Sequence, residues 1–261
     1  MSRRLVAAVV GVVALTACGN ASSSPHLVTL TVLAASSLKT VFPKIGQSFT
    51  AAHPGVTFSF SFAGTDALTA QLEQGAPADV FAGASKKYAE ELAGKGLLDS
   101  SSPFCTNQLV LVVPPSNPAQ ILSLTDLAKP GIKLVIGSET VPVGSYTRSV
   151  LLNLTATYGQ GYSDRVLANV VSNEDNVEGV LTKVESGEAD AGFVYLTDSK
   201  AAGSAVQAIT LPAEAQSAAT YPIAVVKSSM HAGLAQFFVA FVLGASAQQI
   251  LKDAGFGPPE G

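Results

Sequence analysis

The chain has 261 residues, of which 48% are hydrophobic, and its 15 basic and 19 acidic residues give it a net charge of −4. An acidic chain without a run of lysine or arginine lacks the basic surface that nucleic-acid binding requires, so we expect no nucleic-acid partner. The length fits one large domain or two lobes of about 100–120 residues each.

The N-terminal residues have the composition of an export and anchoring segment. Arg3 and Arg4 precede a short apolar stretch, and the sequence LTAC places small residues directly before Cys18. The apolar stretch is too short to span a bilayer, and the arrangement resembles a lipobox. We predict a signal peptide over residues 1–17, lipidation of Cys18, and a polar tether over residues 18–27 that holds an exported protein at the outer face of the cytoplasmic membrane. An ordinary signal peptide with a chance cysteine is the alternative.

Removal of residues 1–17 would leave 13 basic residues against 19 acidic ones, a net charge of −6. If Cys18 is lipidated, Cys105 has no partner for an internal disulfide. We expect Cys105 to pack as a small apolar residue, because no histidine lies near it in the sequence. The three histidines are widely separated, which does not match the spacing of a metal site.

The first third of the chain alternates between strand and helix patterns. VTLTVLAA at 28–35 is apolar and β-branched, which is typical of a buried parallel strand. A short turn over Ser37–Phe42 and a helix from Pro43 should follow, because proline is tolerated in the first turn of a helix. GVTFSFSFAG and ADVFAGAS predict two more strands, and the segments TDALTAQLEQG and KKYAEELAGKGLL after them predict helices.

The middle of the chain begins with a long apolar strand, NQLVLVV, and then repeats the strand–helix alternation. The tail adds the strand TYPIAVVK and two amphipathic stretches. This alternation predicts an α/β fold of two doubly wound lobes with a ligand cleft between them. We predict that residues 28–107 and 207–261 form lobe 1 and that residues 108–206 form lobe 2.

Four junctions share one pattern, in which small or hydroxyl residues lie between a strand or loop and the start of a helix. They are AASSL at 34–38, FAGTDAL at 62–68, VPVGSYT at 141–147 and SNEDNVEG at 172–179. A helix N-terminus has unpaired N–H groups and a partial positive charge, so it can bind an anion without a basic side chain. A serine or threonine N-cap explains any one junction. Four together favour a ligand site at the carboxyl ends of the strands.

The segments VLAASSL, SFAGTDALTAQLEQGAPADVFAGAS, VPVGSY, VEGVLTKVESGEADAGFVYLTD and YPIAVV resemble the molybdate-binding subunit of bacterial ABC importers. The resemblance covers nearly the whole mature chain. It implies a periplasmic-binding fold of type II that binds molybdate or tungstate through neutral donors, without a cofactor or direct protein–metal ligands, and delivers it to an ABC permease. We expect a monomer. The implied donors are the hydroxyls of Ser37, Thr65 and Tyr195 and the backbone N–H groups of Val143 and Val177.

The chain departs from the family's usual residues at several positions. Thr65 replaces a serine and keeps the hydroxyl, while Val143 replaces an alanine and would need only its N–H group. Asp66 replaces a small polar residue, and a carboxylate there would repel a dianion or accept a proton from hydrogen phosphate. We expect Asp66, and likewise Glu174 and Asp175, to be first-turn acids that face solvent, as the helix dipole favours.

Three questions remain open at this point. Ser36–Lys39 matches the S-x-x-K motif of serine acyl-transfer enzymes, but neither KTG nor SDN accompanies it, so we predict a binding protein with no catalytic residues and Lys39 at the surface. Sulfate or phosphate is an alternative ligand, and an adhesion or signalling module with an empty cleft is an alternative class. Tyr195 could instead be a core tyrosine bonded to backbone, and Ser36 could replace Ser37 as the contact.

Overall fold

The protein is described by a computed structural model that covers residues 27–259, so the predicted signal peptide and Cys18 lie outside the described residues. Two five-stranded sheets form the centres of two lobes. The ten strands of this part of the chain are β1 Val28–Ala35, β2 Val56–Ala63, β3 Val80–Ala82, β4 Ser102–Asn107, β5 Leu109–Val113, β6 Leu134–Gly137, β7 Val170–Glu174, β8 Ala191–Tyr195, β9 Gln207–Thr210 and β10 Ala219–Val225.

Helices connect these strands. The nine α-helices between residues 27 and 259 are α1 Phe42–Ala52, α2 Thr65–Glu73, α3 Lys86–Gly94, α4 Pro142–Tyr158, α5 Tyr162–Leu167, α6 Val177–Glu185, α7 Leu196–Ala202, α8 Ala232–Leu243 and α9 Ala245–Ala254. A 3₁₀ turn at Ser36–Leu38 separates β1 from α1, and Pro43 lies in the first turn of α1. The predicted short turn followed by a helix near Pro43 is therefore confirmed.

The first sheet has the strand order β2-β1-β3-β10-β4. Strand β1 runs parallel to β2 and β3, and β10 runs antiparallel to its neighbours β3 and β4. Helices α1 and α8 cover one face of this sheet through an aromatic cluster in which Phe238 contacts Phe42, Phe49 and Phe58. Burial of such large rings holds lobe 1 together.

The second sheet has the order β7-β6-β8-β5-β9. Strand β6 runs parallel to β7 and β8, and β5 runs antiparallel to β8 and β9. All five residues of β5 are buried, as expected for a central strand with helices on both faces. The predicted α/β architecture of two lobes is confirmed.

The chain crosses between the sheets twice. The first crossing is at Gln108, between β4 in one sheet and β5 in the other. The second crossing uses residues 211–218, between β9 and β10. Because β9 pairs with β5, the predicted start of the returning lobe 1 segment at residue 207 is wrong by about one strand. The four residues of β9, QAIT, do not alternate in a way that assigns them to one sheet, and strand pairing decides.

Within residues 27–259, no single helix is long and apolar enough to cross a membrane. Helices α8 and α9 reach that length and composition only as a pair, which is bent by 57°. Both helices bury residues in the protein core, among them Phe238 and Leu251.

Candidate functional site

Four chain segments converge where the two lobes meet, and each of them is the start of a helical segment. The 3₁₀ turn and α2 follow β1 and β2 in lobe 1, while α4 and α6 follow β6 and β7 in lobe 2. The N-caps of α2 and α4 are Gly64 and Val141, neither of which makes a side-chain cap. The first N–H groups of these helices therefore remain available to a ligand.

These segments enclose one small cavity. Its lining residues are Ala35, Ser36, Ser37, Ala63, Gly64, Thr65, Ala84, Val141, Pro142, Val143, Asn176, Val177 and Tyr195. The cavity thus brings together the five residues that the sequence predicts as donors, and none of these thirteen residues carries a charge. Its volume is about 10 Å³, about the lower limit for one water molecule, so the two lobes lie close together around it.

The two hydroxyls from lobe 1 already accept or share hydrogen bonds with the protein. The backbone N–H of Ala84 donates to Thr65 Oγ1 at 3.1 Å. Since an N–H group can only donate, the Thr65 hydroxyl hydrogen is left for another acceptor. Ser37 Oγ lies 2.8 Å from Tyr221 Oη, and both residues are buried. The additional methyl group of Thr65 lies against Gly83, which leaves room for it in the wall of the cavity.

Tyr195 places a buried hydroxyl without a partner at this cavity. The residue ends β8 and is 2% exposed, and its Oη atom makes no hydrogen bond within the described residues. Burial, followed by the neighbouring Tyr221, raises the pKa of this phenol well above its ordinary value, so it stays protonated. An unpaired buried hydroxyl is costly, and a ligand that accepts a hydrogen bond would remove the cost. A core tyrosine bonded to backbone is therefore not what the structure contains.

Val143 and Val177 contribute main chain to the cavity. Val177 is the first residue of α6, and Val143 is the second residue of α4, after Pro142. Proline at the first helical position has no N–H to contribute, so Val143 is the first donor of α4. Asn176 caps α6 by accepting a hydrogen bond from Gly179 N at 3.1 Å, which leaves the N–H of Val177 uncapped.

Asp66 lies outside the cavity lining and does not simply face solvent as predicted. Its Oδ2 accepts a hydrogen bond of 2.9 Å from Thr140 Oγ1 on the opposite lobe, and its Oδ1 is buried without a partner. The sequence could not indicate this contact, because it forms only between residues of different lobes.

The closed lobes meet tightly at Gly64. This residue has ordinary extended dihedrals of φ −58° and ψ 142°. A Cβ atom there would nevertheless lie 2.4 Å from the carbonyl oxygen of Asp175 and 3.1 Å from Val141 Cγ1, both in lobe 2. The closed arrangement therefore excludes any side chain at this position.

The acids near α6 are also placed differently from the prediction. Glu174 is the last residue of β7 and forms an ion pair of 2.6 Å with Lys183, while Asp175 precedes the N-cap of α6. Neither is a first-turn acid, because the helix begins only at Val177. Lys39 is exposed, as predicted, and its ammonium pairs with Glu178 across the cleft.

Sequence reasoning missed two buried polar residues beneath the cavity. Tyr221 in β10 contacts Ser37, and Asn107 at the end of β4 donates to Thr197 Oγ1 at 2.8 Å. The sequence signal for these two residues was a polar side chain in an otherwise apolar stretch, Tyr221 in TYPIAVV and Asn107 in NQLVLVV. Cys105, in contrast, is buried as expected, and burial raises the pKa of its thiol well above the ordinary value.

Several known proteins are similar to this chain in sequence and fold. A family model described as bacterial extracellular solute-binding protein matches residues 30–257. The chain is 39% identical over 267 residues to the molybdate-binding protein ModA of Mycobacterium tuberculosis, and the match covers 99% of this chain and 98% of that protein.

Two solved structures show the same fold at lower identity. The periplasmic molybdate-binding protein of Azotobacter vinelandii has a TM-score of 0.77 at 24% identity and covers 88% of this chain and 100% of that one. The sulfate-binding protein SubI of M. tuberculosis also has a TM-score of 0.77, at 23% identity, and covers 88% of this chain and 86% of that one. The fold is shared by proteins named for two different anions, and the match of the family model over residues 30–257 shows that the chain belongs to the bacterial extracellular solute-binding proteins.

Proposed function

We propose that this protein binds molybdate or tungstate outside the cytoplasm and delivers it to an ABC permease in the cytoplasmic membrane. One observation carries the proposal: Ser37, Thr65, Val143, Val177 and the unpartnered Tyr195 hydroxyl line one cavity that contains no charged side chain. The kinship with a ModA protein at 39% identity supports molybdate as the ligand.

The five donors suit a fully deprotonated tetrahedral oxyanion. Ser37 and Thr65 would donate from lobe 1, while the N–H groups of Val143 and Val177 and the hydroxyl of Tyr195 would donate from lobe 2. The N-termini of α2, α4 and α6 add partial positive charge, which offsets the charge of a dianion without a counter-ion. Because the donors come from both lobes, binding favours the closed state.

Sulfate is the second candidate, because it is also a tetrahedral dianion and the fold is shared with a sulfate-binding protein. Cavity size would have to separate the two anions, since no charged group distinguishes them. Phosphate is less suitable, because its proton needs an acceptor and Asp66, the nearest candidate in the sequence, lies outside the cavity lining.

Catalysis is disfavoured by the position of Lys39. Its ammonium forms an ion pair with Glu178, whereas a serine enzyme with the S-x-x-K motif needs the lysine to activate the serine. We therefore propose a binding protein without enzymatic activity.

Thermal melting of the purified protein with molybdate, tungstate, sulfate or phosphate tests the function. At a hundredfold excess over Kd, the specific ligand should add about 2.7 kcal/mol to the free energy of unfolding. We expect molybdate or tungstate to give the largest shift. A larger shift with sulfate or phosphate would reassign the ligand, and no shift with any anion would favour an adhesion or signalling module.

We also propose that Cys18 is lipidated and anchors the protein at the outer face of the membrane. The motif before Cys18 supports this, and the exported location of the family is consistent with it. Cys18→Ser should move the protein from the membrane fraction to the soluble fraction. Retention of the variant in the membrane fraction would contradict the proposed anchor.

A further inference from the structure

A series of hydrogen-bonded side chains buried beneath the cavity determines whether the Ser37 hydroxyl donates a hydrogen bond or accepts one. Ser37 Oγ and Tyr221 Oη are 2.8 Å apart, so one of the two donates to the other. If Ser37 donated to Tyr221, it would offer only lone pairs to the cavity, which an oxyanion cannot use. If Ser37 accepts from Tyr221, its hydrogen is available to the ligand.

Asn107 sets the direction of the hydrogen bond between Ser37 and Tyr221. Its Oδ1 accepts a hydrogen bond of 3.0 Å from Gln108 N, which fixes the orientation of the side-chain amide. The Nδ2 group therefore faces Thr197 Oγ1 at 2.8 Å and Tyr221 Oη at the longer distance of 3.5 Å. An amide NH₂ group has two hydrogens and no acceptor, so it donates to both oxygens.

Tyr221 lies between Asn107 and Ser37 and connects them by hydrogen bonds. Asn107 Nδ2 can only donate to the Tyr221 oxygen, so Ser37 Oγ, at 2.8 Å, is the acceptor that the structure offers to the single hydrogen of Tyr221. Burial raises the pKa of the Tyr221 phenol well above its ordinary value, so the hydrogen is present at neutral pH. Ser37 Oγ then accepts, and its own hydrogen turns toward the cavity.

We propose that Tyr221 and Asn107 are positioning residues that hold Ser37 as a hydrogen-bond donor and thereby reject tetrahedral oxyanions that carry a proton. This inference rests on the proposed function, because it concerns the same cavity. Thr65 receives the equivalent constraint from the N–H of Ala84, which cannot reverse. At Ser37 the constraint depends on two side chains, so substitution can remove it.

The selectivity follows from the cost of an unmatched hydrogen. Monohydrogen phosphate brings one O–H group that needs an acceptor, whereas molybdate at the same pH brings none. In the wild-type protein both lobe 1 hydroxyls present hydrogens, so the phosphate O–H meets a donor. Without the Tyr221 hydroxyl, Ser37 Oγ is free to rotate and can accept the hydrogen of monohydrogen phosphate.

The test variant is Tyr221→Phe, which keeps the ring that packs against Phe104 and Phe256. The matched control is Tyr162→Phe, which removes another buried hydroxyl, bonded to Leu124 O at 2.6 Å in the other lobe. Dissociation constants for molybdate and for monohydrogen phosphate are measured at pH 8 by calorimetry or thermal shift. A melting curve without ligand shows whether each variant is folded.

We expect Tyr221→Phe to weaken molybdate binding about tenfold and to leave phosphate binding equal or stronger, so that the ratio of the two constants falls at least tenfold. Tyr162→Phe should leave the ratio unchanged. In a Ser37→Ala background, Tyr221→Phe should change the ratio less than about twofold, because the effect acts through Ser37.

An unchanged ratio in Tyr221→Phe would overturn the inference and leave the proposed function intact. The same would follow if Tyr162→Phe lowered the ratio as much, or if the effect persisted in the Ser37→Ala background. If Tyr221→Phe does not fold, Asn107→Leu is the second variant. It removes the hydrogen-bond donor to Tyr221 and must lower the same ratio. If the wild-type protein bound no oxyanion, the proposed function itself would fall, and this inference with it.

Discussion

The two lobes have the same sheet topology but offer a ligand different chemical groups. In both sheets the second strand, β1 or β6, runs parallel to two neighbours. The fourth strand, β10 or β5, follows a crossing of the chain between the lobes and runs antiparallel to its neighbours. Ser37 and Val143 follow the equivalent strands β1 and β6, and Thr65 and Val177 follow β2 and β7. Lobe 1 thus presents hydroxyls where lobe 2 presents valines.

This difference shows that a repeated architecture can keep the positions of donors while changing their kind. Helix starts after equivalent strands point N–H groups to the same cleft in both lobes. The proposed side-chain donors of lobe 1 lie there, whereas the proposed side-chain donor of lobe 2, Tyr195, lies at the end of the third strand, β8, instead. Removal of the side chain should therefore weaken ligand binding at Ser37 and Thr65, whereas at the two valines of lobe 2 only removal of the N–H group should do so.

The largest effect on binding should come from Val177→Pro. Proline is well tolerated at the first helical position, and Asn176 before it is already extended. The substitution deletes the N–H donor, and a hydrogen bond to a charged ligand contributes about 1.5–3 kcal/mol. Calorimetry with molybdate should show a loss of affinity of that size.

Val177→Ala is the control for this comparison, because it shortens the side chain and keeps the N–H group. We expect its affinity for molybdate to stay within about threefold of the wild type, well below the roughly 10- to 150-fold loss expected for proline. Equal losses in the two variants would mean that the side chain of Val177 matters, and the contrast between the lobes would be lost.

A second test concerns Asp198, which follows Tyr195 in lobe 2. Its Oδ2 accepts from Tyr195 N at 3.1 Å, and burial, with a further contribution from Glu178, raises its pKa from 3.8 to about 7. In the folded state Asp198 stays protonated between pH 4 and pH 7, while in the unfolded state it ionises. Its contribution to stability is therefore complete below about pH 4 and is lost as the pH rises to about 7.

Asp198→Asn should remove this loss, because the asparagine is neutral at every pH and its Oδ1 can still accept from Tyr195 N. Since Asp198 is partly exposed, we expect a gain of about 2 kcal/mol in the free energy of unfolding at pH 8 and little change at pH 4. Denaturant unfolding at both pH values measures it. A gain that is independent of pH would contradict the assigned ionisation.

The smallest effect should come from Tyr195→Phe, and it should have opposite signs with and without ligand. The variant loses a donor, so molybdate affinity should fall by about 1–2 kcal/mol. It also loses a buried hydroxyl that has no partner, so the ligand-free protein should gain about 1 kcal/mol, or about 2–4 °C in Tm. A lower Tm without ligand would show that the hydroxyl has a protein partner, and would weaken the assignment of Tyr195 to the ligand.

Much of this architecture could be predicted from local pattern. The apolar β-branched run at 28–35 and the helical spacing after it predict β1 and α1, because both patterns depend on neighbouring residues. The convergence of Ser37 and Thr65 was also predictable, since residues after parallel strands meet at one edge of a sheet. Their contact with a ligand stays a prediction.

The features that sequence could not predict depend on contacts between distant residues. Strand β9 belongs to the second sheet because it pairs with β5, and nothing in its own four residues decides this. Tyr221 and Asn107 are far from Ser37 along the chain, so their role under the cavity appears only in the fold. Asp66 pairs with Thr140 for the same reason.

Gly64 shows how transport and folding can place separate demands on one residue. Its backbone angles are open to any amino acid, but in the closed state an added methyl group would lie 2.4 Å from the carbonyl oxygen of Asp175 in lobe 2. The obstacle within lobe 1, Asp66 Oδ1 at 2.7 Å, is a side-chain atom that can rotate away. We expect an alanine at this position to be tolerated while the lobes are separated. When the lobes approach, its methyl group would collide with lobe 2. We expect such a variant to fold but not to close fully around a ligand. The glycine is thus required for closure of the lobes rather than for the conformation of its own backbone.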